Sequence, residues 1–290
     1  MAEVTELVDK AKGGFEALSG AVETAKGVAP VLPQMLGADG QTRNYLVVAE
    51  NNVEIRANGG YGGSQGVVSV TDGKLEIGDF EPKMSIGIQN ALPVTDEEEV
   101  LFNQATHEMG SDSGDTLFTP DFPRAAGLLQ QMWEREYGQH VDGVVALDPV
   151  FLQYLLGVVG AVELPDGSTI DGTNAARVLM HDVYWNYDSA QQDAIFAAAA
   201  GAAFEKVLGG LGSADLGQLT SAVQRGCEEG RFIAWMENDD EEAVVRELGL
   251  AAALPDASDT SAAPVAGVFV NNIRGSKLDW FLDKDVTVGA

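Results

Sequence analysis

Residues 44–77, NYLVVAENNVEIRANGGYGGSQGVVSVTDGKLEI, constrain the fold more than any other part of the chain. The apolar run 45–49 has the length and branched content of a buried strand. A polar, glycine-rich segment, 50–65, follows and reads as a loop, and a second apolar run, 66–70, reads as the next strand. Thr71-Asp72-Gly73-Lys74 is a turn into a third short strand. Gly59, Gly60, Gly62 and Gly63 stand around Arg56, Glu50 and Glu54. Glycine admits positive φ and lets backbone approach a ligand or another segment closely. Polar loops between buried strands are where binding groups gather, so this segment is the first candidate site.

The rest of the chain alternates helical and extended signals. Residues 3–28 carry apolar side chains at three- and four-residue steps and read as an amphipathic helix, broken by Pro30 and Pro33. Thr95 followed by Glu98 marks a capped helix start. Residues 107–123 read as a long surface loop, and 124–137 as a helix. Residues 141–147 (VDGVVAL) form a short buried strand, and Asp148-Pro149 opens a helix with an acidic cap and proline in its first turn. A strand at 161–164 follows, then a helix that Asp171 or Thr173 begins and that reaches His181, and helices at 189–208 and 215–229. Next come a strand at 231–236 and a helix at 239–248 that Gly249 ends. After a small-residue linker, 251–264, the sequence predicts a strand at 265–270 and a strand pair within 276–288. This alternation predicts an α/β fold with a central mixed or mostly parallel sheet and helices on both faces. Residues 1–36 are expected as a stalk and 43–290 as the α/β domain.

Charge narrows the partners. The chain holds 45 acidic against 17 basic residues, a net of −28. Such a surface repels nucleic acid and anionic lipid, so neither is an expected partner. It would attract a divalent cation only loosely, and no other cofactor is expected. Cys227 is the single cysteine, which excludes an intrachain disulfide and a cysteine metal site. His107, His140 and His181 are not at ligand spacing. No stretch approaches the roughly 18 apolar residues of a membrane span.

The NNVEIRANGGYGGS segment resembles the signature of the domain of unknown function 4012 family, envelope proteins found mostly in actinobacteria and related bacteria. The likeness continues at 121–123 (DFP), 141–149 (VDGVVALDP), 160–167 (GAVELPDG), 179–196 (LMHDVYWNYDSAQQDAIF) and 276–279 (SKLD). The resemblance implies a domain on the extracellular face of the membrane, tethered through an anchor preceding Met1, with residues 3–28 as the stalk. A weaker resemblance is to the LytR-CpsA-Psr phosphotransferases, which move glycopolymers from polyprenyl-pyrophosphate carriers to the cell wall. It rests on 46–52, on Asp72-Gly73-Lys74-Leu75, on 141–161 and on 175–196. Where those enzymes place further arginines, this chain has 77–83 (IGDFEPK) and 181–192 (HDVYWNYDSAQQ), which contain none.

Arg56, with Glu50, Asn51, Asn52 and Glu54, is the leading candidate, read either as an anion or sugar clamp or as an ion pair with Glu50 or Glu54 that shapes the loop. Gly59 and Gly60 could offer backbone N–H groups to a ligand, although a strand rather than a helix follows them. Asp182, Tyr184, Trp185, Tyr187 and Asp188 mix carboxylates with aromatic rings, as a carbohydrate cleft does and as a loop packed on a core does. Asp112, Asp115 and Asp121 could offer oxygens to Ca²⁺ but lack the EF-hand order. The expected function is binding of a cell-wall or exopolysaccharide glycopolymer, or its lipid-linked precursor. A non-catalytic surface scaffold using the same cleft is the rival.

Overall fold

The structure, a computed structural model, describes residues 27–103, 107–164, 166–210, 215–255 and 267–287. All but the last two residues of the helix expected over 3–28 lie outside them. The centre is a six-stranded sheet. β1 (Arg43–Arg56) and β2 (Gly59–Thr71) form one long antiparallel hairpin. β3 (Lys74–Ile77) and β4 (Glu81–Pro82) pair with β2, while β5 (Gly143–Leu147) lies beside β1 and β8 (Phe232–Met236) beside β5. β6 (Val162–Glu163) and β7 (Thr169–Ile170) make a separate two-stranded ribbon.

The segment 50–65 is therefore not a loop but the distal half of this hairpin. Its polarity hid a strand with a built-in break. The ladder passes from Asn51↔Tyr61 directly to Ile55↔Gly60, so residues 52–54 leave it as a bulge. The glycines make room for that fold-back. A Cβ on Gly60 would lie 2.5 Å from the Asn51 carbonyl carbon, and one on Gly59 would lie 2.3 Å from Glu50 Oε2. Gly59 also holds φ near 122°, a region that side chains disfavour.

The sheet is mixed, but it is not mostly parallel. Only β1 and β5 run parallel. Two-residue turns join β1 to β2 and β2 to β3, and connections that short permit only antiparallel pairs. Asp72 and Gly73, both at positive φ, form the second turn. Helices cover both faces, and side-chain alternation sorts the core between them. Leu46, Val48, Val144 and Ala146 face the Phe122–Tyr137 helix, which buries Leu128, Leu129 and Met132. Tyr45, Val47, Val68 and Leu147 face the opposite layer, with Phe151 and Leu155 of the Pro149–Val159 helix and Ala200 of the Ser189–Gly210 helix. The Leu216–Glu228 and Asp239–Glu247 helices complete that layer.

Local capping agrees with the sequence. Thr95 and Glu98 form a reciprocal capping box, and Asp148 caps the Pro149–Val159 helix through the Phe151 N–H. Two segments differ. Residues 107–123, expected on the surface, are largely buried and hold a short helix, Ser113–Thr116. They pack beneath the hairpin, where Ser113 Oγ accepts from Gln65 Nε2 at 2.7 Å and from Met84 N at 2.9 Å. In 267–287 no strand forms among the described residues, and a 3₁₀ turn, Lys277–Phe281, takes its place. This segment binds the β1 bulge largely through side chains. Asp279 Oδ2 accepts from Ile55 N at 3.0 Å and Asn271 Oδ1 from Ala57 N at 2.8 Å, alongside one backbone bond from Asn272 N to Ile55 O at 2.8 Å. Among the described residues no helix is long and apolar enough to cross a membrane.

Candidate functional site

A cavity of about 520 Å³ opens at the carboxyl ends of β1 and β5, the end of a parallel pair where α/β sheets place ligands. Its body is apolar, formed by Leu147, Leu152, Leu179, Phe196, Ala200 and Phe204. Small side chains on the Ser189–Gly210 helix leave the space open: Ala199, Ala200 and Ala203 all line it. Its mouth is polar, with Glu50, Asn51, Lys83, Asp148 and Lys277.

Each mouth residue is placed by a local device. Asp148 is held as a helix cap, accepting from Phe151 N at 2.8 Å and from Arg231 Nη1 at 2.7 Å, and from the Asn52 amide. The bulge delivers Asn52 and Glu54. Asn51 donates to the Tyr184 hydroxyl, which ties the bulge to the 179–186 segment. There a π-helical turn, Val178–Asp182, puts Leu179 in the cavity wall. Lys277 arrives on the docked C-terminal segment, pairs with Glu54, and sits 4.5 Å from the centroid of the Tyr184 ring. Burial lowers its amine to about 8 despite that pairing. Lys83 pairs with Asp112.

Glu50 is fully enclosed. Burial pushes its carboxyl well above the usual range, the nearby Asp148 charge adds to this, and the Gly60 N–H works against it. Its Oε1 has no hydrogen-bond partner. The pH dependence has a defined sign. Below the unfolded value of about 4.3, both states hold the proton. Above it only the unfolded chain ionises, so stability falls with rising pH until the raised folded value is passed. Glu50→Gln removes this titration and offers an amide donor toward Asp148. It should raise stability at pH 7 by roughly 1–3 kcal/mol, the scale of an unsatisfied buried polar group. Urea melts at pH 5 and pH 7 check this: the wild-type loss between the two should shrink in the variant.

Arg56 lies outside the cavity wall. It is 3% exposed, with Phe118 and Tyr61 rings 4.4 and 5.1 Å from its guanidinium. It donates to Gly114 O at 3.3 Å, Ile55 O at 3.2 Å and Asn272 O at 2.8 Å. Its acidic neighbour is Asp115 at 3.8 Å, not Glu50 or Glu54. Gly59 and Gly60 lie under the Glu50 carboxyl, with Gly60 N donating to it. Asp182 stands off the cavity, paired with His181 at 2.9 Å and Arg177 at 3.3 Å. Of the expected residues, Glu50 and Tyr184 line the cavity, Asn52 and Glu54 stand behind its lining as partners of Asp148 and Lys277, and Arg56 and Asp182 lie outside it. Asp112, Asp115 and Asp121 each already have protein partners. Among the described residues no group of three or more His, Cys, Asp or Glu side chains is placed to hold a metal ion.

Sequence reasoning missed Lys83, Lys277 and the cavity role of Asp148. Asp148 was visible as a helix cap and within the VDGVVALDP block, and Lys277 within the SKLD block and an expected strand pair. The small-residue run 197–203 (AAAAGAA) was the one signal for open space.

Fold and site define an α/β domain built around an apolar cavity with a charged mouth. The chain belongs to the family described as protein of unknown function (DUF4012), whose profile matches residues 40–184. No curated protein matches it. Among solved structures it is similar to protein gbs0355 from Streptococcus agalactiae, at 12% identity over 72% of this chain and 74% of that one, with a TM-score of 0.43. It is also similar to TagV from B. subtilis, at 9% identity over 72% of this chain and 79% of that one, with a TM-score of 0.35. Likenesses at these scores fix no function.

Proposed function

We propose that this domain binds an amphiphile with an anionic head, such as a lipid-linked phosphate of cell-wall or exopolysaccharide assembly, at the outer face of the membrane. One observation carries the reading: a cavity of about 520 Å³ combines an apolar wall with two lysines, Lys83 and Lys277, in its lining. A hydrocarbon chain would be buried against the Leu152, Leu179 and Phe204 side chains, and a phosphate would meet Lys277. The sequence resemblance to polyprenyl-pyrophosphate enzymes points the same way. Binding rather than phosphoryl transfer is favoured because, among the described residues, no arginine lines the cavity. Pyrophosphate chemistry uses guanidinium forks.

The test is calorimetric titration with farnesyl phosphate. Micromolar binding is expected, and Lys277→Met should weaken it about tenfold, the scale of one desolvated charge contact. Binding should also weaken as pH rises above about 8, because the free Lys277 amine then loses its proton and the complex must take one up. No heat with wild type, or an affinity in Lys277→Met equal to wild type, would overturn the reading.

A further inference from the structure

A second hollow, about 260 Å³, adjoins the first and shares Tyr184 and Lys277 with it. Its other walls come from the 180–185 segment and the docked 277–281 turn. Around His181 stand the rings of Trp185, Trp280 and Phe281, with centroids at 6.1, 5.2 and 6.5 Å. Trp185 is 73% exposed and Phe281 71% exposed, so large apolar rings are held in water beside a cavity mouth. Clustered exposed rings mark a contact surface.

Building on the amphiphile reading, we propose that this hollow is a sugar subsite for a neutral hexose carried on the bound phosphate. The location follows from Lys277, which stands between the two hollows: a phosphate there places its lipid ester toward the cavity and its second substituent toward the rings. The chemistry follows from the mixture of groups. A pyranose presents a C–H face that stacks on an aromatic ring and hydroxyls that need polar partners. His181 Nδ1 is engaged by Asp182 Oδ1 at 2.9 Å, which leaves the other ring nitrogen for a hydroxyl. A bilayer pressed onto the same surface would take the charged Lys277–Glu54 pair and the His181 ring out of water, at a desolvation cost.

The experiment compares farnesyl phosphate with farnesyl phosphoryl glucose on the full chain, by calorimetry and tryptophan fluorescence. Glucosylation is expected to tighten binding about tenfold. Trp185→Ala should remove that gain while leaving farnesyl phosphate affinity unchanged, and its exposed position should leave the melting temperature unchanged. If farnesyl phosphate binds and glucosylation adds nothing, the sugar subsite is wrong and the cavity reading stands. If neither ligand binds, the cavity reading fails and the subsite falls with it. A blue shift on adding phosphatidylcholine vesicles alone, abolished in Trp185→Ala, would make the rings a membrane contact and overturn the proposal.

Discussion

Arg56→Ala is expected to destabilise the domain by about 3–5 kcal/mol, the scale of removing one member of a buried charged pair. Asp115 would lose its cationic neighbour, and three carbonyls, on Gly114, Ile55 and Asn272, would lose a donor. For a chain of this length that corresponds to a fall in melting temperature on the order of 10 °C. The loss should not be rescued by lysine, which cannot reach several carbonyls in one plane while lying between two rings. A thermal melt followed by circular dichroism decides it. A variant that melts with wild type, yet no longer binds farnesyl phosphate, would return Arg56 to the role of ligand clamp.

Ala200→Phe should abolish most ligand binding while leaving the fold intact. Ala200 lines the cavity from the Ser189–Gly210 helix and also belongs to the core layer around Leu147 and Phe151. The new ring is expected to turn into the cavity and displace ligand, at an overpacking penalty of about 1–3 kcal/mol that a thermal melt would read. Displacing some 100 Å² of buried hydrocarbon, at about 25 cal/mol per Å², forfeits about 2.5 kcal/mol, or roughly sixtyfold in affinity. Calorimetry with farnesyl phosphate reads this directly, and unchanged affinity would mean that the chain of the ligand lies elsewhere.

The two expectations divide the glycine-rich hairpin from the cavity it serves, and the sequence anticipated them unequally. Elements with local signatures were legible: the Thr95 capping box, the Asp148 cap, the turn at Asp72-Gly73, and the apolar runs of β1, β5 and β8. The distal hairpin was not, because its polar residues belong to a bulge whose shape depends on contacts with residues 271–279. Residues 107–123 looked exposed because their Ser, Asp and Gly content suits a surface loop. Their polar groups are instead matched inside, Ser113 by Gln65 and Asp115 by Arg56 and His107. The candidate site was legible in half. Glu50 and Tyr184 line the cavity, while Asn52 and Glu54 hold its lining residues Asp148 and Lys277 through long-range pairing that no local pattern encodes. Lys277 reaches the mouth from more than two hundred residues away in sequence, on a segment whose only local cue favoured strands.

That docked segment has a consequence for how the protein comes into being. Strands β1, β2 and β5 and the lining helices leave the ribosome well before residues 271–281 do. The apolar chamber can close early, yet Lys277 and the Trp280 and Phe281 rings are added later, by a segment that clips onto the Asn52–Glu54 bulge. A nascent chain therefore passes through a stage with a greasy, ungated opening. The charged and aromatic surface that would choose a ligand is assembled only once residues 271–281 have emerged.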